Sequence, residues 1–249
     1  MFSDLLNQTK KLALKLKGLI RSDCLLCLEP VVGGPHGPSL LCGECHARLP
    51  FLSDQHRHCT ICAMPLPQAT AEACGACLQE SPRFQRTIAA FHYEAPINDM
   101  IAQLKFNARR HYTPLLTEEL TAVVRRYYAP AELPSALVPV PLHPQKTRTR
   151  GFNQAYLLAD SLSRRLSIEL RGHQVTRHRN TQAQTTLNAK QRKSNLRGAF
   201  TAEGSFPEHL AIVDDVMTTG ATANELAGAL IKQGALRVDV WCAARAYSI

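Results

Sequence analysis

The chain has 249 residues, 45% of them hydrophobic and 20% charged, with a formal net charge of +9. These values exclude a wholly disordered or fibrous protein and leave room for one sizeable core plus a smaller module. The positive balance points to an anionic partner such as nucleic acid, a phosphorylated metabolite or an acidic membrane surface.

Residues 1–20 place Phe2, Leu5, Leu12, Leu16 and Leu19 on one helical face and Lys10, Lys11, Lys15 and Lys17 away from it, which predicts an amphipathic helix. Docking onto the protein's own body is the favoured reading over a membrane surface or a partner. This stretch has neither a continuous apolar run nor a small-residue cleavage site, so it does not read as a secretory signal. No run of about 18 apolar residues occurs elsewhere. Reduced thiols and a cytoplasmic setting are expected.

Nine cysteines follow, eight of them in the pairs Cys24/Cys27, Cys42/Cys45, Cys59/Cys62 and Cys74/Cys77. Two cysteines separated by two residues can put both sulfurs on one tetrahedral metal, and two such pairs close a four-thiolate site. The spacing predicts two structural Zn²⁺ ions, and sequential pairing is favoured, although a cross-braced pairing uses the same residues. Iron suits the same ligands. Disulfides lack a secretory context, and a thioredoxin-like site needs one CxxC beside a βαβ unit rather than four in a row. A zinc-ribbon module over 21–80 is expected, with closed sites that fold the chain and leave no open position for catalysis. His46, His56 and His58 read as surface residues and Cys242 as a core residue. With two zinc ions bound by eight thiolates the net charge falls to +5.

Beyond Cys77 the texture changes to alternating strands and helices. Strands are predicted over 86–94, 135–142, 209–213 and 237–244, with helices starting at Pro96 and covering 115–128, 153–166 and 222–233. This pattern predicts an α/β domain over 85–249, a mostly parallel sheet with helices on both faces.

The most informative segment is HLAIVDDVMTTGAT, residues 209–222. Four apolar residues make a buried strand, and Asp214 and Asp215 follow at its carboxyl end, where open α/β sheets bind ligands. Thr218, Thr219, Gly220, Ala221 and Thr222 then turn into a helix, so backbone N–H groups and hydroxyls can converge on a phosphate. Ionised carboxylates only accept hydrogen bonds, so the aspartates suit ribose hydroxyls or a metal. Together these parts describe a site for ribose 5-phosphate.

Asp-Asp-x-x-Thr-Thr-Gly-x-Thr after four apolar residues resembles the phosphoribosyl pyrophosphate signature of type I phosphoribosyltransferases. With YEAPINDMIAQLKF, VPVPLHPQKTRTRGFNQA and the four CxxC pairs, the chain resembles the ComF/GntX family of competence-associated proteins over nearly all its length beyond the first 20 residues. The resemblance implies a phosphoribosyltransferase type I fold behind a double zinc ribbon, binding of phosphoribosyl pyrophosphate with Mg²⁺, and a role in DNA uptake. It places Asp214 and Asp215 on the ribose as the catalytic pair. It also puts the loop with Lys146, Arg148 and Arg150 on the pyrophosphate side, where guanidinium forks suit phosphate oxygens. Where purine-salvage relatives carry an acid in the phosphate loop, this chain has Thr218.

A second basic tract, residues 171–197, carries Arg171, Arg177, Arg179, Lys190, Arg192, Lys193 and Arg197 without an acid. It reads as a lid over pyrophosphate or a track for nucleic-acid phosphates. Two functions fit these features. One is a binding protein of DNA uptake, with single-stranded DNA or uptake proteins as partners. The other is an active phosphoribosyltransferase on an unidentified nucleobase or other acceptor.

Overall fold

The computed structural model of the chain describes residues 22–31, 40–52, 58–67, 71–179 and 196–247. The amphipathic helix expected over 1–20, His56, and Lys190, Arg192 and Lys193 of the second basic tract lie outside these residues. The chain forms two compact units, Met1–Leu49 and Pro50–Ile249. In the first, β1 (Ser22–Asp23) pairs antiparallel with β2 (Pro30–Val31), and a short helix, α1 (Gly43–Ala47), follows.

The second unit begins with a knuckle ending in α2 (Gly75–Gln79) and continues through β3 (Arg86–His92), α3 (Ile97–Asn107), α4 (Thr113–Tyr127) and β4 (Ala136–Pro139). Then come α5 (Pro144–Arg150), α6 (Gln154–Leu166), β5 (Glu169–Leu170), β6 (Val175–Arg177), β7 (Phe200–Ala202), β8 (His209–Met217), α7 (Ala221–Ile231) and β9 (Arg237–Arg245). Five strands form one sheet in the order β3-β9-β8-β4-β5, every neighbour parallel. β3, β8 and β9 are nearly continuous apolar runs, as strands covered on both faces must be. One core cluster joins Ala136, Val138, Leu210, Ile212, Val238 and Val240 of the sheet to Leu226, Ala227 and Leu230 of α7. The edge strand β3 is capped by the 50–52 segment, where Leu52 N donates to Ala90 O and His92 N to Pro50 O.

The expected α/β architecture is present, with local corrections. The stretch read as a basic loop contains α5, which the apolar period could not reveal because nearly every residue is polar. It starts at Pro144, its N-cap His143 accepts from Gln145 N at 3.3 Å through Nδ1, and Gly151 ends it at φ 79°. The strand placed at 209–213 runs on to Met217, since Asp214 and Asp215 interrupt its apolar pattern but not its pairing with β9. Pro96 caps α3 instead of occupying its first turn. The β6–β7 hairpin was not expected. Because β4 ends where Pro139 pairs Val213, the last residues of β8 emerge into a crevice at the carboxyl edge of the sheet.

Asp239 on β9 is fully buried, yet its carboxylate accepts from Tyr128 Oη at 2.7 Å and lies 2.8 Å from His209 Nε2 and 2.9 Å from Arg237 Nη2. Burial opposes ionisation, but these partners outweigh it and hold Asp239 below the usual carboxylate range. A depressed native pKa stabilises above the unfolded value of about 3.9 and ceases to do so as pH falls through the folded one. Unfolding midpoints measured from pH 6 downward are expected to fall below about pH 4, and less steeply in an Asp239→Asn variant.

Candidate functional site

At the tip of β8 the two aspartates have different surroundings. Asp215 is buried and paired with the Lys105 ammonium of α3, with a further hydrogen bond from Gln154 of α6. Burial would raise its pKa, but Lys105 first, then Asp214 and Gln154, bring it below the ordinary range. Asp214 is half-buried and its Oδ1 accepts the Asp215 N–H at 2.8 Å. Burial, then the charge of Asp215, hold Asp214 well above the ordinary carboxylate range. So Asp215 anchors the strand end to α3 and α6, while Asp214 is the member of the pair whose ionisation is opposed.

After Met217 the chain bends through Thr218 and Thr219 into α7, with Gly220 as the N-cap at φ 77°. A Cβ there would meet Met217 Cε at 2.8 Å and Phe84 Cζ at 3.4 Å, on a backbone that side chains rarely adopt, so glycine is required. Thr219 is exposed and its Oγ1 accepts from Ala221 N at 3.4 Å; Thr218 and Thr222 are half-buried and Ala221 is buried. The bend thus leads from the tip of β8 to the first amides of an eleven-residue helix, which have no partner within the helix.

Lys146 and Arg150 stand one turn apart on α5, while Arg148, two residues from each, is exposed across the helix. Burial, then the charges of Arg177 and Arg150, lower the Lys146 pKa. Arg177 of β6 is in turn within electrostatic reach of Asp214. Arg150 and Arg177 therefore both stand within electrostatic reach of Lys146, a crowd of like charges that an anion would relieve. Arg150 also donates to Gln154 Oε1 at 2.6 Å, which ties α5 to the support of Asp215. Sequence reading missed Lys105, Gln154 and the grouping of Arg177 with α5. Lys105 stands in the segment that carried the family resemblance, but only the fold shows its partner.

The cysteines close two sets, Cys24, Cys27, Cys42 and Cys45, then Cys59, Cys62, Cys74 and Cys77, with all four ligand atoms of each set within 4.8 Å of one another. Pairing is sequential. Both sets repeat one knuckle: Cys24 N donates to Glu29 O and Leu28 N to Cys24 O, as Cys59 N does to Met64 O and Ala63 N to Cys59 O. Leu28 and Ala63 take the left-handed turn after the second cysteine, at φ 64° and 55°. Burial opposes thiolate formation at Cys24, but N–H donors of Cys27, Cys42 and Leu26 bring it down to about 6. At Cys59, Cys62, Cys74 and Ile61 do the same, to about 7. The remaining shifted thiols, Cys27, Cys45, Cys62 and Cys77, are raised with no ion in place, so it is the closeness of the four sulfurs that fits each set to a tetrahedral metal ion. His46 and His58 lie outside both sets, and Cys242 is buried in the core, where burial pushes its thiol up to about 12.

The second set belongs to the larger unit's core: Cys59, Cys62 and Cys77 share a cluster with Phe84, Met217 and Leu226. Beyond it, Arg83 N donates to Asn224 Oδ1 at 2.7 Å and Arg83 Nη1 to Glu225 Oε1 at 3.3 Å, fastening the knuckle to α7. An open cleft of about 2160 Å³ is bordered by Cys62, Cys74 and Cys77 on one side and by Thr218, Thr219 and Gly220 on another. Among the described residues, no helix is long and apolar enough to cross a membrane.

No protein-family model matches the chain. It is 37% identical over 225 residues to the DNA utilization protein YhgH of Escherichia coli (strain K12), covering 89% of this chain and 96% of that protein. It is 35% identical over 212 residues to competence protein F of Haemophilus influenzae, covering 83% and 90%, and 24% identical over 203 residues to competence protein ComFC of Bacillus subtilis, covering 78% and 79%. Among solved structures it is similar to a purine phosphoribosyltransferase from Pyrococcus horikoshii, with a TM-score of 0.34, 18% identity, and coverage of 54% of this chain and 80% of that one.

Proposed function

Since the chain belongs to the ComF family, with the DNA utilization proteins and competence protein F, we propose that it binds phosphoribosyl pyrophosphate at the tip of β8 and serves DNA uptake. What supports this is the run of Asp214, threonine bend and glycine-capped helix start at the carboxyl end of β8, with Arg177 within electrostatic reach both of Asp214 and of Lys146 on α5. In this reading the amides of residues 219–222 and the threonine hydroxyls hold the 5-phosphate. Asp214 accepts from a ribose hydroxyl, and the cations face the pyrophosphate. Of the two acids, Asp214 would be the one to hold Mg²⁺, since Asp215 is paired with Lys105, and the ion would supply neutralisation of pyrophosphate charge. The metal of the cysteine sets is zinc, two ions per chain, whose chemistry is structural. In function the division is into a cysteine module over 21–80 and a phosphoribosyltransferase-like domain over 85–249. The protein works in the cytoplasm and meets single-stranded DNA or an uptake protein through its basic surface.

Because burial and Asp215 raise the Asp214 pKa, a ligand that needs its carboxylate form binds less well in acid, and affinity rises with pH until it passes the raised pKa. Calorimetric titration of phosphoribosyl pyrophosphate with Mg²⁺ across pH is expected to show saturable binding that strengthens from acid toward neutral. Absence of binding at every pH would overturn the proposal. Pyrophosphate release in the presence of nucleobases would establish the transferase reading, and binding without turnover the uptake-binding one.

A further inference from the structure

The last residue of β9, Arg245, is 3% exposed and, among the described residues, has no carboxylate partner. Its guanidinium instead binds backbone carbonyls from three segments. Nε donates to Cys62 O at 2.7 Å, Nη1 donates to Met217 O at 3.0 Å, and Nη1 also reaches Thr218 O and Ala246 O. One end of this fork is a ligand of the second metal set, and the other is the bend that enters α7. We infer that Arg245 is a positioning residue that sets the amides of the phosphate loop and couples them to the second metal site.

Two physical steps support this. In a planar trans peptide the carbonyl and the next N–H point in opposite directions. Drawing the Thr218 carbonyl onto Arg245 therefore turns the Thr219 N–H the other way. An arginine fork is needed for this, because a lysine offers one flexible point charge that cannot hold the Cys62 and Thr218 carbonyls together. The second step is charge. A buried guanidinium held only by carbonyl dipoles is costly to keep, and four thiolates around a divalent ion carry net negative charge against the Cys62 backbone. The loaded metal site thus favours Arg245 in place, and Arg245 in place fixes the bend. Linkage makes the effect reciprocal: a ligand that needs the ordered loop must also strengthen metal retention. Arg83 adds a second strut from the knuckle to α7. This inference rests on the phosphoribosyl pyrophosphate reading only for its ligand arm.

The test has one arm without ligand and one with it. In zinc-loaded Arg245→Lys, amide hydrogen exchange at residues 218–220 is expected to accelerate about fivefold or more, with exchange in central β8 and β9 unchanged and two zinc ions retained. In the unaltered protein, phosphoribosyl pyrophosphate with Mg²⁺ is expected to slow release of one of the two zinc ions to a chromogenic chelator by about fivefold or more, and Arg245→Lys should abolish that slowing. Unchanged loop exchange in the variant overturns the inference, as does zinc release indifferent to a ligand that binds. Should the variant fail to fold, release from the unaltered protein decides. A protein that binds no phosphoribosyl pyrophosphate would sink the proposed function, and the exchange arm alone would then judge Arg245.

Discussion

A chain carrying Cys59→Ser and Cys77→Ser is expected to lose the fold of its larger unit, whereas Cys27→Ser with Cys45→Ser should leave that unit's unfolding transition in place. The reason is position. Cys59 is 1% and Cys77 6% exposed within the core that holds Phe84, Leu226 and Val240, so their metal is tied to the packing of the whole sheet face. A structural zinc is worth about 10–16 kcal/mol in small zinc-folded peptides. A domain is stable by about 5–15 kcal/mol. Losing the second ion therefore removes as much as the unit has, even if core contacts retain part of it. The first set lies in the separate unit Met1–Leu49, so its loss should cost one zinc ion and the order of that unit only. Circular dichroism melts with zinc content measured on the same samples distinguish these outcomes. Equal melts for the two variants would refute the assignment of the second set to the larger core.

Replacing both aspartates, Asp214→Ala with Asp215→Ala, is expected to abolish phosphoribosyl pyrophosphate binding while leaving two zinc ions per chain. The single variants should separate into two kinds of effect. Asp215→Ala strands the Lys105 ammonium, whose side chain is 22% exposed, and breaking a buried pair in this way costs about 3–5 kcal/mol. Among the described residues Asp214 has no such ion-pair partner to strand, and burial and Asp215 oppose its ionisation, so Asp214→Asn should leave the melting temperature nearly unchanged and remove the ligand contact. A stability loss in Asp214→Asn equal to that of Asp215→Ala would contradict the division of labour between the two acids.

Much of the fold was legible because local chemistry determines it. The CxxC spacing favours metal knuckles, and their loops of 14 and 11 residues are close to zinc-ribbon spacing, which favoured the sequential closure that the structure shows. The apolar runs at 209–213 and 237–244 read as buried strands of a mostly parallel sheet, and the structure has them there. In contrast, α5 has no apolar period and is made by its cap residues and Pro144. The residues missed at the site are those whose role comes from distant partners. Lys105 meets Asp215 across 110 positions and Arg245 meets Cys62 across 183, and no local pattern encodes either pairing. The expectation that both aspartates face one ligand followed from their adjacency; the burial of Asp215 and its pairing with Lys105 are what adjacency could not reveal.

The central claim is that the bend after β8 grips a sugar phosphate through its own backbone. Amide chemical shifts of the isotopically labelled protein, followed as phosphoribosyl pyrophosphate and Mg²⁺ are added, address it residue by residue. Large saturable shifts concentrated at residues 214 and 218–222, absent in Asp214→Asn, are the expected result. Shifts that fall elsewhere, or a bend that does not respond while the ligand binds, would contradict it.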